Sequence, residues 1–282
     1  MGASERTGSP DTNLAGADVN RRYFVHLVES LQADAETGLR VLDFGCGAGE
    51  VVRLLRQVGV ECYGADTFYE GAAYQDPALA SLMDQRVVRE IPEDGRLPFD
   101  DRYFDLVISD QVLEHVENLD AVLAELDRVL REHGVMHHHF PSREVLREGH
   151  IGIPLAHRFR PGRTRFAYTL ALRWLRLGSH KEGRSRAEWT RWKLAWIDRY
   201  CFYRPYCEIR TAFERRGVLT HTEIDYCRFR AAGRPVLSGL LQIGPLTGSY
   251  QQVFRHLAFM AIEVSKAGRE PTLADRQPTG LG

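Results

Sequence analysis

The chain has 282 residues, a net charge of −1 and 44% hydrophobic residues, enough for one α/β domain with an insertion. So balanced a charge gives the whole molecule no electrostatic preference for nucleic acid or membrane. Cys46, Cys62, Cys201, Cys207 and Cys227 are scattered without a CxxC pair, against a disulfide framework or zinc site and for a reducing, cytoplasmic setting. No apolar run reaches the roughly 18 residues of a spanning helix, and the N-terminus lacks the charged-then-apolar pattern of a secretion signal.

Residues 1–16 are rich in Gly, Ser, Thr and Asp and are expected to form a disordered tail. From Asp18 a helical period places Tyr23, Phe24, Leu27, Val28 and Leu31 on one face. Next comes Arg40-Val-Leu-Asp-Phe-Gly-Cys-Gly-Ala-Gly-Glu50, a short buried strand running through three glycines into a helix carrying Val51, Leu54, Leu55 and Val58. A strand, a glycine turn and a helix N-terminus make a site for the polar part of a nucleotide-like ligand. The dinucleotide fingerprint would need glycine at position 50, where Glu50 stands and would repel a pyrophosphate. Asp43, two residues before the first glycine, suits a ligand with a positive amine. The next strand, Glu61–Asp66, ends in an acid placed to accept hydrogen bonds from ribose hydroxyls.

A short helix at Pro77–Met83 and a strand at Arg86–Arg89 are expected next, then Leu97-Pro-Phe and a β-branched strand at Phe104–Ser109. Asp110 and Gln111 end that strand at the carboxyl edge of the sheet, beside the glycine loop. Leu119–Arg131 reads as an amphipathic helix after an Asn118 cap, closed by a turn at Glu132-His-Gly134. Val135–Phe140 is the fifth strand, with the run His137-His138-His139. Neighbouring strand side chains point to opposite faces, so only His137 and His139 could share a metal. Residues 141–203 break the alternation, with basic residues from Arg158 to Lys193 interleaved with Phe166, Tyr168, Trp174, Trp189, Trp192, Trp196 and Tyr200. Phe166, Leu170, Leu172 and Trp174 with flanking arginines fit an interfacial helix on an anionic membrane, and the arginines also fit an anionic acceptor. A helix at Pro205–Arg216, a strand at Leu219–Phe229, a helical stretch at Val236–Arg255 and a strand at Ala258–Val264 complete the pattern, followed by a loose tail.

Two segments, Asp43-x-Gly-x-Gly-x-Gly49 and Leu97-Pro-Phe…Phe104-Asp-x-Val…Val-Leu-Glu-His-Val116, resemble the motifs of the class I S-adenosylmethionine-dependent methyltransferases, over roughly Val41–Phe140. The resemblance implies a Rossmann-like, seven-stranded, mostly parallel sheet with an antiparallel last strand, helices on both faces and a helical cap. The implied parts are a cofactor core with its N-terminal helix at 17–140, a basic and aromatic acceptor-binding cap at 141–203, completion of the sheet at 204–266 and a tail at 267–282. It assigns the cofactor S-adenosyl-L-methionine (product S-adenosyl-L-homocysteine) to Asp43, Gly45, Cys46, Gly47, Gly49 and Asp66, with Asp110 and Gln111 at the strand edge. Glu93 and Asp94 stand where the family carries an Asp-Ala pair near adenine. His115 and His150 are the candidate bases, the latter in the shaped loop Glu148-Gly-His-Ile-Gly-Ile-Pro154.

Some members bind a divalent metal through Glu-x-x-Glu-His and a later histidine, but here Gln111 replaces the first carboxylate, and no metal is expected. The implied activity is methylation of a sugar, lipid or secondary-metabolite hydroxyl, on an acceptor that can be anionic; nucleic acid is a disfavoured partner. N- or C-methylation of a small metabolite, RNA methylation and a non-catalytic cofactor-binding regulator remain as alternatives, with an oxidoreductase behind them.

Overall fold

The structure, a computed structural model, describes residues 18–33, 35, 37–68, 77–179 and 183–266. The tails expected at 1–16 and 267–282, and Lys181 of the basic segment, lie outside the described residues. Seven strands form one sheet in the order β3-β2-β1-β4-β5-β7-β6. These are β1 (Arg40–Phe44), β2 (Glu61–Asp66), β3 (Val88–Glu90), β4 (Phe104–Asp110), β5 (Leu130–Phe140), β6 (Val218–His221) and β7 (Met260–Ser265). β1 pairs in parallel with β2 and β4, β2 in parallel with β3, and β6 runs antiparallel to β7. The chain divides into two compact units, 1–110 with 125–136 and 111–124 with 137–282.

In the first unit β1 is buried from Val41 to Phe44, as a central parallel strand must be when helices cover both faces of its sheet. Asp43 pairs in register with Gly64 of β2 and Ile108 of β4. Helices α1 (Val19–Ala33), α2 (Glu50–Gln57) and α3 (Pro77–Asp84) flank these strands. α1 buries Tyr23, Phe24, Leu27 and Val28, four of the five positions on the expected face. The Leu97-Pro-Phe segment is held from α4 (Leu119–Val129): Glu125 accepts from the Leu97 N–H at 3.0 Å, and Arg128 donates to the carbonyls of Leu97 and Phe99, each at 2.9 Å. That motif is thus a structural clamp.

α4 ends at Val129, where the N–H groups of Arg102 and Tyr103 take up the carbonyls of Arg128 and Val129. The chain turns over Glu132–Gly134 as expected, within β5: a Cβ on Gly134 would lie 2.5 Å from Leu130 Cγ, whereas four residues of straight strand span about 13 Å. Gly134 makes this turn without a left-handed φ.

The second unit holds α5 (Arg163–Trp174), α6 (Arg186–Tyr200), α7 (Tyr206–Glu214), α8 (Glu223–Ala231), α9 (Pro235–Leu240) and α10 (Thr247–Leu257). Ser185 and Glu188 form a reciprocal capping box at the start of α6, satisfying two N–H groups that a helix otherwise leaves open. α5 and α6 enclose a core of Ile151, Ile153, Ala156, Trp189, Leu194 and Ile197, against which Phe166, Tyr168 and Leu172 pack. Of the four residues expected at a membrane, Phe166 and Leu172 therefore face this core, while Trp174 is exposed.

The strand expected over Leu219–Phe229 is corrected. β6 stops at His221, and α8 follows with Glu223 and Asp225 in its first turn and Arg228 and Arg230 in its last, the arrangement that the helix dipole favours. β6 and β7 consequently meet across three α-helices and a short 3-10 turn at Gly244–Leu246, and not through a tight hairpin.

Candidate functional site

The glycine loop turns on three left-handed residues, Gly45 (φ 74°), Gly47 (φ 53°) and Gly49 (φ 70°). A Cβ on Gly49 would also lie 2.8 Å from Leu82 Cδ1, so that leucine would have to shift. A Cβ on Gly64 of β2 would lie 2.6 Å from Cys46 Sγ, so this glycine, which sequence reasoning passed over, seats the loop. The N–H groups of Gly45 and Cys46 both donate to the Ala65 carbonyl, that of Gly47 to Asp66 Oδ2 at 2.8 Å, and that of Gly49 to the Cys46 carbonyl. A phosphate-binding loop aims its N–H groups at the ligand. Here four of them are turned inward.

The charge around the loop has the same sense. Asp43, only 6% exposed, has its carboxyl pushed up to about 8 by burial, then by the neighbouring Asp110 and Asp66, with Arg21 opposing. A buried acid held up by two other acids gains by meeting a cation. Asp66 accepts the Gly47 N–H through one oxygen and the Phe68 N–H through the other at 3.0 Å, leaving a lone pair on each for a further donor such as a hydroxyl. Asn20 of α1 donates to Asp110 at 3.1 Å, and Arg21 pairs with Glu50 at 2.5 Å, so α1 reaches both the loop helix and the end of β4. Cys46 lines this loop as a thiol, burial holding its ionisation far above the usual range.

Glu93 and Asp94 are exposed in the turn from Pro92 to Gly95, where Asp94 accepts the Arg96 N–H. Gln111, one residue beyond Asp110, adopts a left-handed φ of 55° and donates its N–H to the His139 carbonyl at 2.7 Å. Such a φ in a non-glycine residue is strained, and strain of this kind concentrates at functional sites.

In the second unit the structure brings together the two histidines chosen from sequence. His115 and His150 face each other through their Nε2 atoms at 3.2 Å. His115 Nδ1 lies 2.6 Å from the Tyr200 carbonyl, and His150 Nδ1 lies 2.8 Å from Glu148 Oε1. A carbonyl and a carboxylate only accept, so each Nδ1 carries hydrogen. The two Nε2 lone pairs then face each other, and one further proton would bridge them. Burial keeps His115 below the ordinary histidine range.

Burial alone would raise Glu148, but hydrogen bonds from His150, Tyr203 and the Ile151 N–H outweigh it and keep its carboxyl below the usual range. Tyr203 donates to Glu148 at 2.6 Å, and Trp196 packs against both imidazoles. Glu148, Tyr203 and Trp196 were not singled out as site residues in the sequence. Only Glu148, two residues before His150, left a local trace.

The loop carrying His150 depends on Gly152 (φ 68°), where a Cβ would lie 2.6 Å from Ser179 Oγ. His137, His138 and His139 do not converge. His137 pairs with Glu263 at 2.8 Å, His138 lies against Phe213, and His139 stacks on Phe259. Burial pushes His138 down to about 3, the behaviour of a neutral core residue. Among the described residues, His115, His150 and Cys201 form a group whose donor atoms lie within 4.8 Å of one another. These are two imidazoles and a thiol that burial holds strongly protonated, without the carboxylates a hard cation prefers.

Residues 42–137 match the methyltransferase domain family. The chain is similar to norajmaline N-methyltransferase of Rauvolfia serpentina, 32% identical over 91 residues, covering 32% of this chain and 31% of the relative. It is similar to a ubiquinone biosynthesis O-methyltransferase of Mesorhizobium japonicum, 30% identical over 104 residues, covering 35% and 39%. A ubiquinone/menaquinone biosynthesis C-methyltransferase of Xylella fastidiosa is 34% identical over 120 residues, covering 40% and 45%. The chain thus matches less than half the length of each of these relatives.

Proposed function

Through residues 42–137 the chain belongs to the class I S-adenosylmethionine-dependent methyltransferase family, and on that premise we propose that it methylates a hydroxyl of a sugar, lipid or secondary metabolite. S-adenosylmethionine supplies a methyl group on a sulfonium, whose sulfur takes back the C–S electron pair as the acceptor oxygen forms its bond to carbon. The residues around the loop fit such a ligand: a cradle of left-handed glycines, no outward row of N–H donors for phosphate, and three acids. In this reading Asp43 ionises against the ligand ammonium, Asp66 accepts the ribose hydroxyls while still bracing Gly47, and Gly45 to Gly49 pack along the methionine portion.

The observation that carries oxygen as the acceptor atom is the imidazole pair. An oxygen nucleophile must lose a proton as it attacks, whereas a thioether leaving group needs none. With the shared proton gone, two Nε2 lone pairs stand 3.2 Å apart and repel each other. A proton taken from the acceptor relieves that repulsion and is held between them, with Glu148 fixing His150 and balancing the charge. Positioning of the acceptor contributes the rest of the acceleration, and no step is routed through a metal.

The test uses S-adenosylmethionine with a labelled methyl group and a panel of sugar and lipid alcohols, with amines as the contrast. The reading expects label in a methyl ether, and a fall in kcat of about a hundredfold or more in His150→Ala with cofactor affinity unchanged. Label on nitrogen or carbon, or a fully active His150→Ala, contradicts it.

A further inference from the structure

The surface around the end of α5 and the start of α6 combines two properties that seldom coincide by accident. The first is exposed apolar area: Trp174 is 62% exposed, Leu175 71% and Leu177 40%. Among the described residues comparable exposure occurs in the second unit at Val236, Val253 and Leu257, and nowhere in the first. The second is charge. Residues 163–200 hold ten Lys or Arg and three Asp or Glu, within a chain whose net charge is −1. Of the three acids, Glu188 is engaged in the Ser185 capping box and Asp198 is paired with Arg165.

The cations surround the aromatic groups. The Arg186 guanidinium lies 4.1 Å from the Trp174 ring centroid, while Arg184 and Lys193 lie 4.2 and 4.1 Å from that of Trp192. Between the two helices a groove of about 710 Å³ is lined by Leu170, Trp174, Arg176, Arg184, Ser185 and Arg186. It offers guanidinium groups and a hydroxyl beside an exposed tryptophan and leucine. A phosphate-bearing headgroup would find donors there, while Trp174, Leu175 and Leu177 reach the level where headgroups meet acyl chains.

We infer that this surface docks onto a bilayer rich in anionic phospholipid, with Trp174, Leu175 and Leu177 inserted and Arg176, Arg184 and Arg186 contacting headgroup phosphates. The occupant follows from charge complementarity and from the leucines together. A nucleic acid would satisfy the arginines and could stack on tryptophan, but it would leave Leu175 and Leu177 facing water. A neutral bilayer would take the apolar side chains but offer no charge complementary to the excess of ten cations over three acids in residues 163–200. Among the described residues no helix is long and apolar enough to cross a membrane, so the contact is peripheral. It rests on surface chemistry alone and stands whether or not the methyl-transfer reading holds.

Cosedimentation of the full chain with vesicles tests it, using phosphatidylcholine alone and an equal mixture of phosphatidylcholine and phosphatidylglycerol. The protein is expected to pellet with the mixed vesicles, to stay in solution with the neutral ones, and to be released by salt. Arg176→Ala and Arg184→Ala should each lower the partition coefficient about fivefold. Leu175→Glu, on an exposed position that tolerates charge, should lower it about tenfold or more. Circular dichroism of each variant, matched to wild type, shows that the fold is intact. Equal pelleting with neutral vesicles, binding indifferent to all three substitutions, or polyuridylate binding that Leu175→Glu leaves unchanged while vesicle binding is absent, overturns the inference.

Discussion

Replacing Asp43 by asparagine probes the electrostatics of the glycine loop most sharply. In the ligand-free protein burial and the fields of Asp110 and Asp66 push the Asp43 carboxyl up to about 8, so at neutral pH it is mostly protonated. A bound ammonium favours the ionised form, and each pH unit below 8 then costs about 1.4 kcal/mol to remove that proton before the ion pair forms. Affinity for S-adenosylmethionine should therefore rise roughly tenfold per unit between about pH 5.5 and 7, with about one proton released per ligand bound.

Asp43→Asn removes both the slope and the proton release, and binds more weakly near pH 7.5 by about 1.5–3 kcal/mol, the worth of a charged hydrogen bond. The sign for folding is opposite. A group raised from 3.8 to about 8 binds its proton more tightly in the folded state, so its contribution is full below 4 and is lost as pH rises toward 8. The asparagine variant loses that falling component. Calorimetric titration in two buffers of different ionisation enthalpy reads affinity and proton release together. A wild-type affinity flat across this range, or an asparagine variant with the same slope, refutes the reasoning.

Other outcomes follow from the second unit and from the loop packing. Glu148→Gln removes a negative charge that raises His115, so the acid limb of the kcat/KM profile should move to lower pH while the maximal rate falls; an unmoved limb would show that Glu148 only shapes its loop. Gly152→Ala places a Cβ 2.6 Å from Ser179 Oγ at a φ of 68° and should cost about 1–3 kcal/mol in thermal or denaturant unfolding. Gly64→Ala drives a Cβ to 2.6 Å from Cys46 Sγ and should weaken cofactor binding, with Cys46→Ala in the same chain restoring part of the loss. Treatment with a chelator should leave activity unchanged; loss restored by zinc would instead make His115, His150 and Cys201 a metal centre.

What was legible in the sequence was local. The glycine loop and Asp66 announce themselves because a strand, a turn and a strand-end acid occupy short stretches whose residue types have few other uses. The loop nevertheless holds a role for Asp66 that spacing did not reveal: it braces Gly47 and Phe68. His115 and His150 stood out separately, but their meeting depends on a contact across 35 positions that no periodicity encodes. Tyr203 was hidden for the same reason, since it reaches Glu148 from 55 positions away.

Leu219–Phe229 misled because β-branched and aromatic residues at alternate positions satisfy a short strand and a short helix alike. The acids at Glu223 and Asp225 ahead of Arg228 and Arg230 were the better signal. The three adjacent histidines misled in the other direction. A polar run on a central strand invites a ligand, yet each ring found a partner inside the core.

The measurement that meets the central claim most directly is calorimetric titration of the full chain with S-adenosylmethionine, S-adenosylhomocysteine and NADH, on wild type and on Asp66→Asn. The account predicts that the first two bind and NADH does not, and that the asparagine variant binds them roughly ten- to a hundredfold more weakly. A wild-type protein that takes NADH and ignores both sulfur nucleosides contradicts it.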